Sequence, residues 1–223
     1  TRSANVTGVQ TCALPICGCF SRFNRLGVDA IGVPGDSDGM DMDALARTLD
    51  ELKAQGRSPK YIYTIPTVQN PTATIMSLER RKKLIELAKA HDIPIFEDEC
   101  YSDLIWSGER PPAIHSLDDS NRTVFVGSFS KSISPALRVG YVVAPWELIS
   151  QLLACKTDAG SGALEQMVLA EYCPDKFDAH VTSLNKVLKA KLDALTEALS
   201  ENFGTAAEFE QPPGGIFLWV KLP

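Results

Sequence analysis

Apolar residues recur along this chain with two alternating periods. Compact runs rich in β-branched and aromatic residues, at 28–34, 61–66, 93–97, 123–127 and 139–144, predict strands. Between them, 41–55 sets Met42, Leu45, Leu49 and Leu52 at helical spacing, and a helix opening at Ser77 lines one face with Leu84, Leu87 and Ala88. From Trp146 onward the pattern is helical, with interruptions expected at Gly160-Ser161-Gly162 and again at Pro174, and 178–202 reads as a long amphipathic helix. The stretches 207–210 and 216–222 read as strands of a different unit. Strands alternating with helices imply the α/β class, with a mostly parallel sheet sandwiched by helices. The late shift in pattern predicts part of a small α+β C-terminal domain. The expected division is a leader at 1–17, a partial large domain at 18–156, and an interdomain helix with a partial small domain at 157–223.

Composition narrows the function classes. With 223 residues, 44% hydrophobic and 22% charged, the chain can bury a sizeable core. A formal net charge of −6 offers no basic stripe for a nucleic-acid backbone. No apolar run approaches the roughly 20 residues a membrane-spanning helix needs, and no basic-then-apolar start marks a secretory signal. Cys12, Cys17 and Cys19 cluster while Cys100, Cys155 and Cys173 are scattered singly, which is not a disulfide framework and favours a reducing, cytoplasmic setting. No Cys/His spacing resembles a zinc site, so no metal is expected.

In open α/β sheets ligands bind beyond the carboxyl ends of the strands. The residues there are polar: Gln69-Asn70-Pro71-Thr72 after the second run, Asp98-Glu99-Cys100-Tyr101 at the end of the third, and Ser128-Phe129-Ser130-Lys131 with Pro135-Ala136-Leu137-Arg138 after the fourth. Taken singly each has an ordinary reading, as a turn initiator, a helix cap or a surface loop. Together they are candidates to converge on one point. Other residues read as structural. Glu99 follows Asp98 in an extended segment and so points to the opposite face; Cys100 reads as packing; His91, His115 and His180 read as surface or capping groups. The charged run 79–83 reads as the solvated face of a helix, and Gly214-Gly215 as a place of close backbone packing.

The segments YTIPTVQNPTATIMSLERRKKLIELA, IPIFEDECYSDLIW, GSFSKSISPALRVGYVVAP and PPGGIFLWVKLP resemble the aminotransferase class I/II family, fold type I of the pyridoxal 5'-phosphate (PLP) enzymes. The resemblance runs from about residue 20 to 223 and is closest to the aminoadipate-like and aromatic-type branch, which includes the sensor domains of GntR/MocR-type regulators. It implies a Schiff-base lysine, Lys131, that also shuttles a proton at the substrate α-carbon. It implies Asp98 at the pyridine nitrogen, Tyr101 and Asn70 at the 3′-oxygen, and Ser128, Ser130 and Arg138 at the phosphate, where a guanidinium suits bidentate contact. The implied activity is amino-group transfer between an amino acid and a 2-oxo acid, in a homodimer, with Lys131, Asp98 and Tyr101 as catalytic residues. The alternatives are a PLP-binding effector domain of a GntR/MocR-type regulator, or another PLP reaction on the same fold.

The sequence departs from the family at Ala73, where Asn-Pro-Thr-Gly is usual, and at Ala136, where Pro-Gly-Leu-Arg is more frequent. Alanine at 73 is mildly strained if that position takes a positive φ. The family's Gly-rich phosphate loop, the aromatic that stacks on the ring and the arginine for the substrate α-carboxylate lie upstream or downstream of this sequence, and both ends read as cut. Residues 1–16, TRSANVTGVQTCALPI, have neither period and resemble the translation of a common short-read sequencing adapter. Resequencing genomic DNA across this junction is therefore expected to show a different coding sequence upstream of residue 17; genomic codons for 1–16 would overturn that reading.

Overall fold

The computed structural model describes residues 4–7, 23, 25–158 and 160–222; Cys12, Cys17 and Cys19 and most of the expected leader lie outside the described residues. The chain runs β1 (Ala4–Thr7), β2 (Val28–Ile31), a small hairpin of β3 (Gly35–Asp36) and β4 (Gly39–Met40), α1 (Met42–Ala54), β5 (Tyr61–Thr64), α2 (Leu78–Ala90), β6 (Ile95–Asp98), a short α3 (Ile114–Leu117) and β7 (Thr123–Ser128). A 3-10 turn at Pro135–Leu137, β8 (Gly140–Val143), α4 (Trp146–Cys155), the 41-residue α5 (Ala163–Phe203), β9 (Glu208–Phe209) and β10 (Val220–Lys221) follow.

Six strands form one sheet in the order β2-β1-β5-β6-β7-β8. All neighbours are parallel except β7 and β8, which run antiparallel. β9 and β10 pair separately and antiparallel. The helices begin where their caps dictate: the Asp41 carboxylate accepts from the N–H groups of Asp43 and Ala44, and the Ser77 hydroxyl from that of Arg80. The helical spacing then buries Leu45, Leu49 and Leu52 of α1, and Leu84, Ile85 and Ala88 of α2; most of these pack with Ile62 and Ile95 of the sheet in one apolar cluster.

Three expectations are corrected. Ala4–Thr7, set aside on its pattern, forms β1 and pairs with both β2 and β5; a parallel ladder is built by main-chain groups and needs no side-chain period. Pro174 does not interrupt the helix: α5 runs through it. A proline deletes one bond to the preceding turn, and the turns on either side carry the helix across. The third is the charged run. Lys82 and Lys83 are solvated, but Arg81 is wholly buried, and Arg80 makes paired bonds to Asp36 at 2.6 and 2.7 Å. Arg81 lies on the helical stripe of Leu84, Ile85 and Ala88, three, four and seven residues on.

Every guanidinium N–H direction of Arg81 is used. Nε donates to the Met76 carbonyl at 3.0 Å; one terminal nitrogen donates to Glu99 at 3.4 Å and the Pro112 carbonyl at 3.2 Å; the other donates to the Pro66 carbonyl at 2.9 Å and the Thr67 hydroxyl at 2.8 Å. Thr67 in turn donates to Glu99 at 2.8 Å. Glu97, 3.9 Å from Arg81, accepts from the backbone N–H groups of Ile114 and His115 at 2.7 and 2.8 Å. The neighbouring loop folds tightly. Val68 and Ala73 take left-handed φ of 54° and 59°, so the alanine at 73 does sit where glycine would be easier. Gly215 packs onto Val68: a Cβ there would meet the valine Cγ1 at 2.2 Å, at a φ of +86°.

Two predictions follow from this packing. Gly215→Ala is expected to lower unfolding free energy by about 2–3 kcal/mol through overpacking and a left-handed alanine, whereas Gly56→Ala, also left-handed but in open space, loses only about 1 kcal/mol. Urea unfolding of the two variants checks the contrast, and equal losses would refute it. The second concerns pH. Burial first, and the Glu97 carboxylate second, push the Glu99 carboxyl up from its ordinary 4.5 to about 7. Between those values the folded chain holds a proton that the unfolded chain has lost. The Glu99 contribution to stability is therefore full below about pH 4.5 and is lost as pH rises through about 7. Glu99→Gln, which imitates the protonated acid, should melt progressively higher relative to wild type as pH rises across this window; a constant difference would contradict it.

Candidate active site

The pleat sorts the end of β6 into two faces. Tyr63 is register partner of Phe96, so Tyr63, Phe96 and Asp98 share one face of the sheet while Glu97 points to the other. On the first face the Tyr63 hydroxyl donates to Asp98 at 2.7 Å, and the Cys100 backbone N–H reaches the other carboxylate oxygen at 3.3 Å. On the second, Glu97 and Glu99 join Arg81. The two acidic neighbours, Asp98 and Glu99, thus have separate partners, as their alternation requires.

Tyr101 is buried, with its ring edge-on to Phe217 at 5.3 Å, and the Asn70 side chain lies near its hydroxyl. Burial first, and then its neighbours Cys100 and Asp98, push the phenol well above its ordinary range, so Tyr101 stays neutral. The Cys100 thiol is raised in the same way, by burial first and then by Asp98. It is a neutral packing group rather than a nucleophile. The Asn70 side-chain oxygen is buried and has no hydrogen-bond partner. The Lys131 ammonium nitrogen stands 6.0 Å from the centroid of the Tyr101 ring. Asn70, Asp98, Tyr101 and Lys131, from three different strand ends, therefore meet.

Ser128, Ser130 and Arg138 form a second group. They line a hollow of about 740 Å³ between β8 and α4, together with Lys156. The Ser128 hydroxyl accepts from the backbone N–H of Ser130 at 3.1 Å. Arg138 takes a left-handed conformation after the Pro135–Leu137 turn, and its guanidinium donates to the Pro135 carbonyl at 3.1 Å. The two groups are joined by the turn from Ser128 to Lys131, while Arg138 is folded onto its own loop rather than onto Asp98 or Tyr101. The donor set comprises one amine, one carboxylate, a phenol with an amide, two hydroxyls and a guanidinium. It suits a phosphorylated aromatic heterocycle bearing a carbonyl, and the unpartnered Asn70 oxygen is a buried polar atom such a ligand can satisfy.

Sequence reading missed Tyr63, Phe217 and Arg81. Tyr63 was available from the two-residue period once the β5–β6 register is known; Phe217 arrives only through tertiary folding, as the Pro212 and Pro213 carbonyls bond Trp106 and Gly214 bridges Ile105. The histidines stay apart: His91 faces Asp50 at 3.6 Å, His115 the Thr123 carbonyl at 3.1 Å and His180 the Tyr172 hydroxyl at 3.3 Å. No helix among the described residues is long and apolar enough to cross a membrane.

Comparison with known proteins agrees with this geometry. The family description "Aminotransferase class I and II" matches residues 23–223. Aromatic-amino-acid aminotransferase 1 of Thermococcus litoralis is 35% identical over 196 residues, 86% of this chain and 47% of that protein. An uncharacterized HTH-type transcriptional regulator of Bacillus subtilis, YisV, is also 35% identical, over 204 residues, 90% of this chain and 41% of that protein. Among solved structures, Pyrococcus horikoshii kynurenine aminotransferase in complex with PMP superposes with a TM-score of 0.90 at 33% identity, covering 99% of this chain and 55% of that one. The chain spans about half the length of the curated relatives it matches. On this sheet, these strand ends and the match across 23–223, the chain belongs to the aminotransferase class I and II family and has the fold of type I PLP enzymes.

Proposed function

We propose that the protein is a PLP-dependent aminotransferase that moves an amino group between an amino acid and a 2-oxo acid, working as a cytoplasmic homodimer. The observation that carries this reading is the meeting of Lys131 with Asp98, Tyr101 and Asn70 at one place. Bound PLP supplies a sink for the electrons released at the substrate α-carbon.

The chain's own groups supply the rest. Lys131 would be the amine that holds the cofactor, and its free amine would take a proton from the substrate α-carbon and return it. Asp98, fixed by Tyr63 and the Cys100 N–H, keeps an acceptor for the ring nitrogen and favours its protonated form. Tyr101, neutral through burial, donates to the 3′-oxygen. The Asn70 amide holds that phenol in orientation. Arg138, bonded here to the Pro135 carbonyl, would hold the phosphate together with the hydroxyls of Ser128 and Ser130.

A second reading has a specific observation in its favour, the similarity to YisV over 90% of this chain. In it, the same residues hold PLP as the effector domain of a GntR/MocR-type regulator. One experiment tests the main reading and separates it from the second. The protein is incubated with PLP, reduced with borohydride and mapped by mass spectrometry, and a parallel sample is given an amino acid with a 2-oxo acid. A single adduct at Lys131, absent in Lys131→Ala, together with a new amino acid product, is expected. The adduct without product would favour the regulator, and an unmodified Lys131 would sink both.

A further inference from the structure

Arg81 contacts both sides of the cofactor site without lying in it. The loop that carries Asn70 leaves β5 at Pro66-Thr67 and rejoins the helical layer at Met76-Ser77. Arg81 binds both feet of that loop, the Pro66 carbonyl and Thr67 hydroxyl at one end and the Met76 carbonyl at the other. The same guanidinium bonds Glu99, which lies between Asp98 and Tyr101 in sequence. Thr67 closes the figure by donating to the same Glu99 oxygen that faces Arg81. A third tie, to the Pro112 carbonyl, fixes the segment leading into α3. The loop that is clamped also holds two left-handed residues, Val68 and Ala73. Left-handed conformations of this kind persist only where the surroundings over-determine them.

We propose that Arg81 is a positioning residue of the cofactor site: by gripping both feet of the Asn70 loop and the Glu99 carboxyl, it sets Asn70 against Tyr101 and Asp98. It touches neither the reacting atoms nor any of the seven residues assigned to the cofactor. Its effect on the cofactor site passes through the backbone of 66–76, which carries Asn70. The chemistry explains the choice of residue. The grip needs five N–H donors in one plane pointing at three carbonyls, a hydroxyl and a carboxyl; an ammonium has three donors and no plane. Buried Glu97 offsets its charge, and the upward push of burial and Glu97 on the Glu99 carboxyl keeps the cluster from carrying an excess negative charge.

This inference rests on the PLP reading, and its test distinguishes the two. In the PLP-loaded protein, three variants are compared with wild type: Arg81→Lys, Asn70→Ala and the double variant. The readouts are PLP dissociation constant and the pH midpoint at which the bound cofactor's visible absorption changes, with melting temperature recorded alongside. Arg81→Lys is expected to raise the dissociation constant about tenfold, the scale of losing a hydrogen bond that orients a ligand-holding group. It should also move the absorption midpoint in the same direction as Asn70→Ala. The double variant should be no worse than Asn70→Ala alone, because both act through Asn70; such non-additivity is not expected of a general loss of stability. A folded Arg81→Lys with wild-type affinity and midpoint, or effects that simply add, would overturn the proposal. Should Arg81→Lys fail to fold, Thr67→Val, which uncouples the loop from Glu99 and removes one of the five guanidinium acceptors while leaving the other four, is read in the same cycle and by the same criteria. If wild type itself shows no Lys131 adduct, it is the cofactor reading that has failed.

Discussion

Among the described residues one basic side chain, Arg81, is buried, and the surrounding elements are organised by it. Removing a guanidinium from water is costly, and burial first, with the Arg110 charge adding, draws Arg81 below its ordinary pKa. The compensation is two carboxyls and a complete set of hydrogen bonds. That requirement reaches far along the chain. It fixes where the β5 strand must release the chain, how α2 must be rotated, and which side of β6 must carry acid. Removal of one partner would leave an uncompensated charge in a dry interior, which costs about 3–5 kcal/mol. The elements around it are consequently held in one arrangement.

The strand pleat then separates structural acid from chemical acid. Glu97 and Asp98 are adjacent in β6 and Glu99 follows at once, yet the chain uses them on opposite faces. Glu97 and Glu99 balance Arg81, and Asp98 is presented with Tyr63 toward Lys131 and Tyr101. The two environments differ accordingly. Glu99 is driven toward its neutral form by burial and a like-charged neighbour, while Asp98 accepts hydrogen bonds from a phenol and a backbone N–H. Three consecutive acids near one strand end can therefore serve two purposes without competing.

This division also explains what the sequence disclosed. The strands at β5, β6 and β7, the helix start at Ser77, and the polar strand ends were legible, because each is written in local period or local turn chemistry. The left-handed Ala73 was legible as a conditional, since alanine stood where glycine is usual. Arg81 was hidden because it lies in a run of charges, and only its phase with Leu84, Ile85 and Ala88 betrays that it faces inward. Tyr63 was hidden because its partner is set by strand register, which is a tertiary fact. Pro174 misled because proline propensity describes one residue and the 41-residue helix around it outweighs one lost bond. β1 misled because main-chain pairing leaves little imprint on side-chain period.

The two halves of the site stand in different surroundings, and this bears on how each can act. The largest departures from ordinary ionisation, at Glu99, Cys100 and Tyr101, all occur in the half buried around β6. Ser128, Ser130 and Arg138 instead border a hollow whose walls include Val142, Leu152 and Leu153, large apolar groups exposed to solvent. In high dielectric an ion pair between Arg138 and a phosphate gains little, and the guanidinium instead bonds its own loop at Pro135. The same pair in a covered, drier hollow would gain several-fold. The grip on an anion there thus depends on how far the apolar wall of β8 and α4 is kept from water, whereas the placing of Asn70 depends on Arg81 and that of Asp98 on Tyr63 and the Cys100 N–H, both within the buried half.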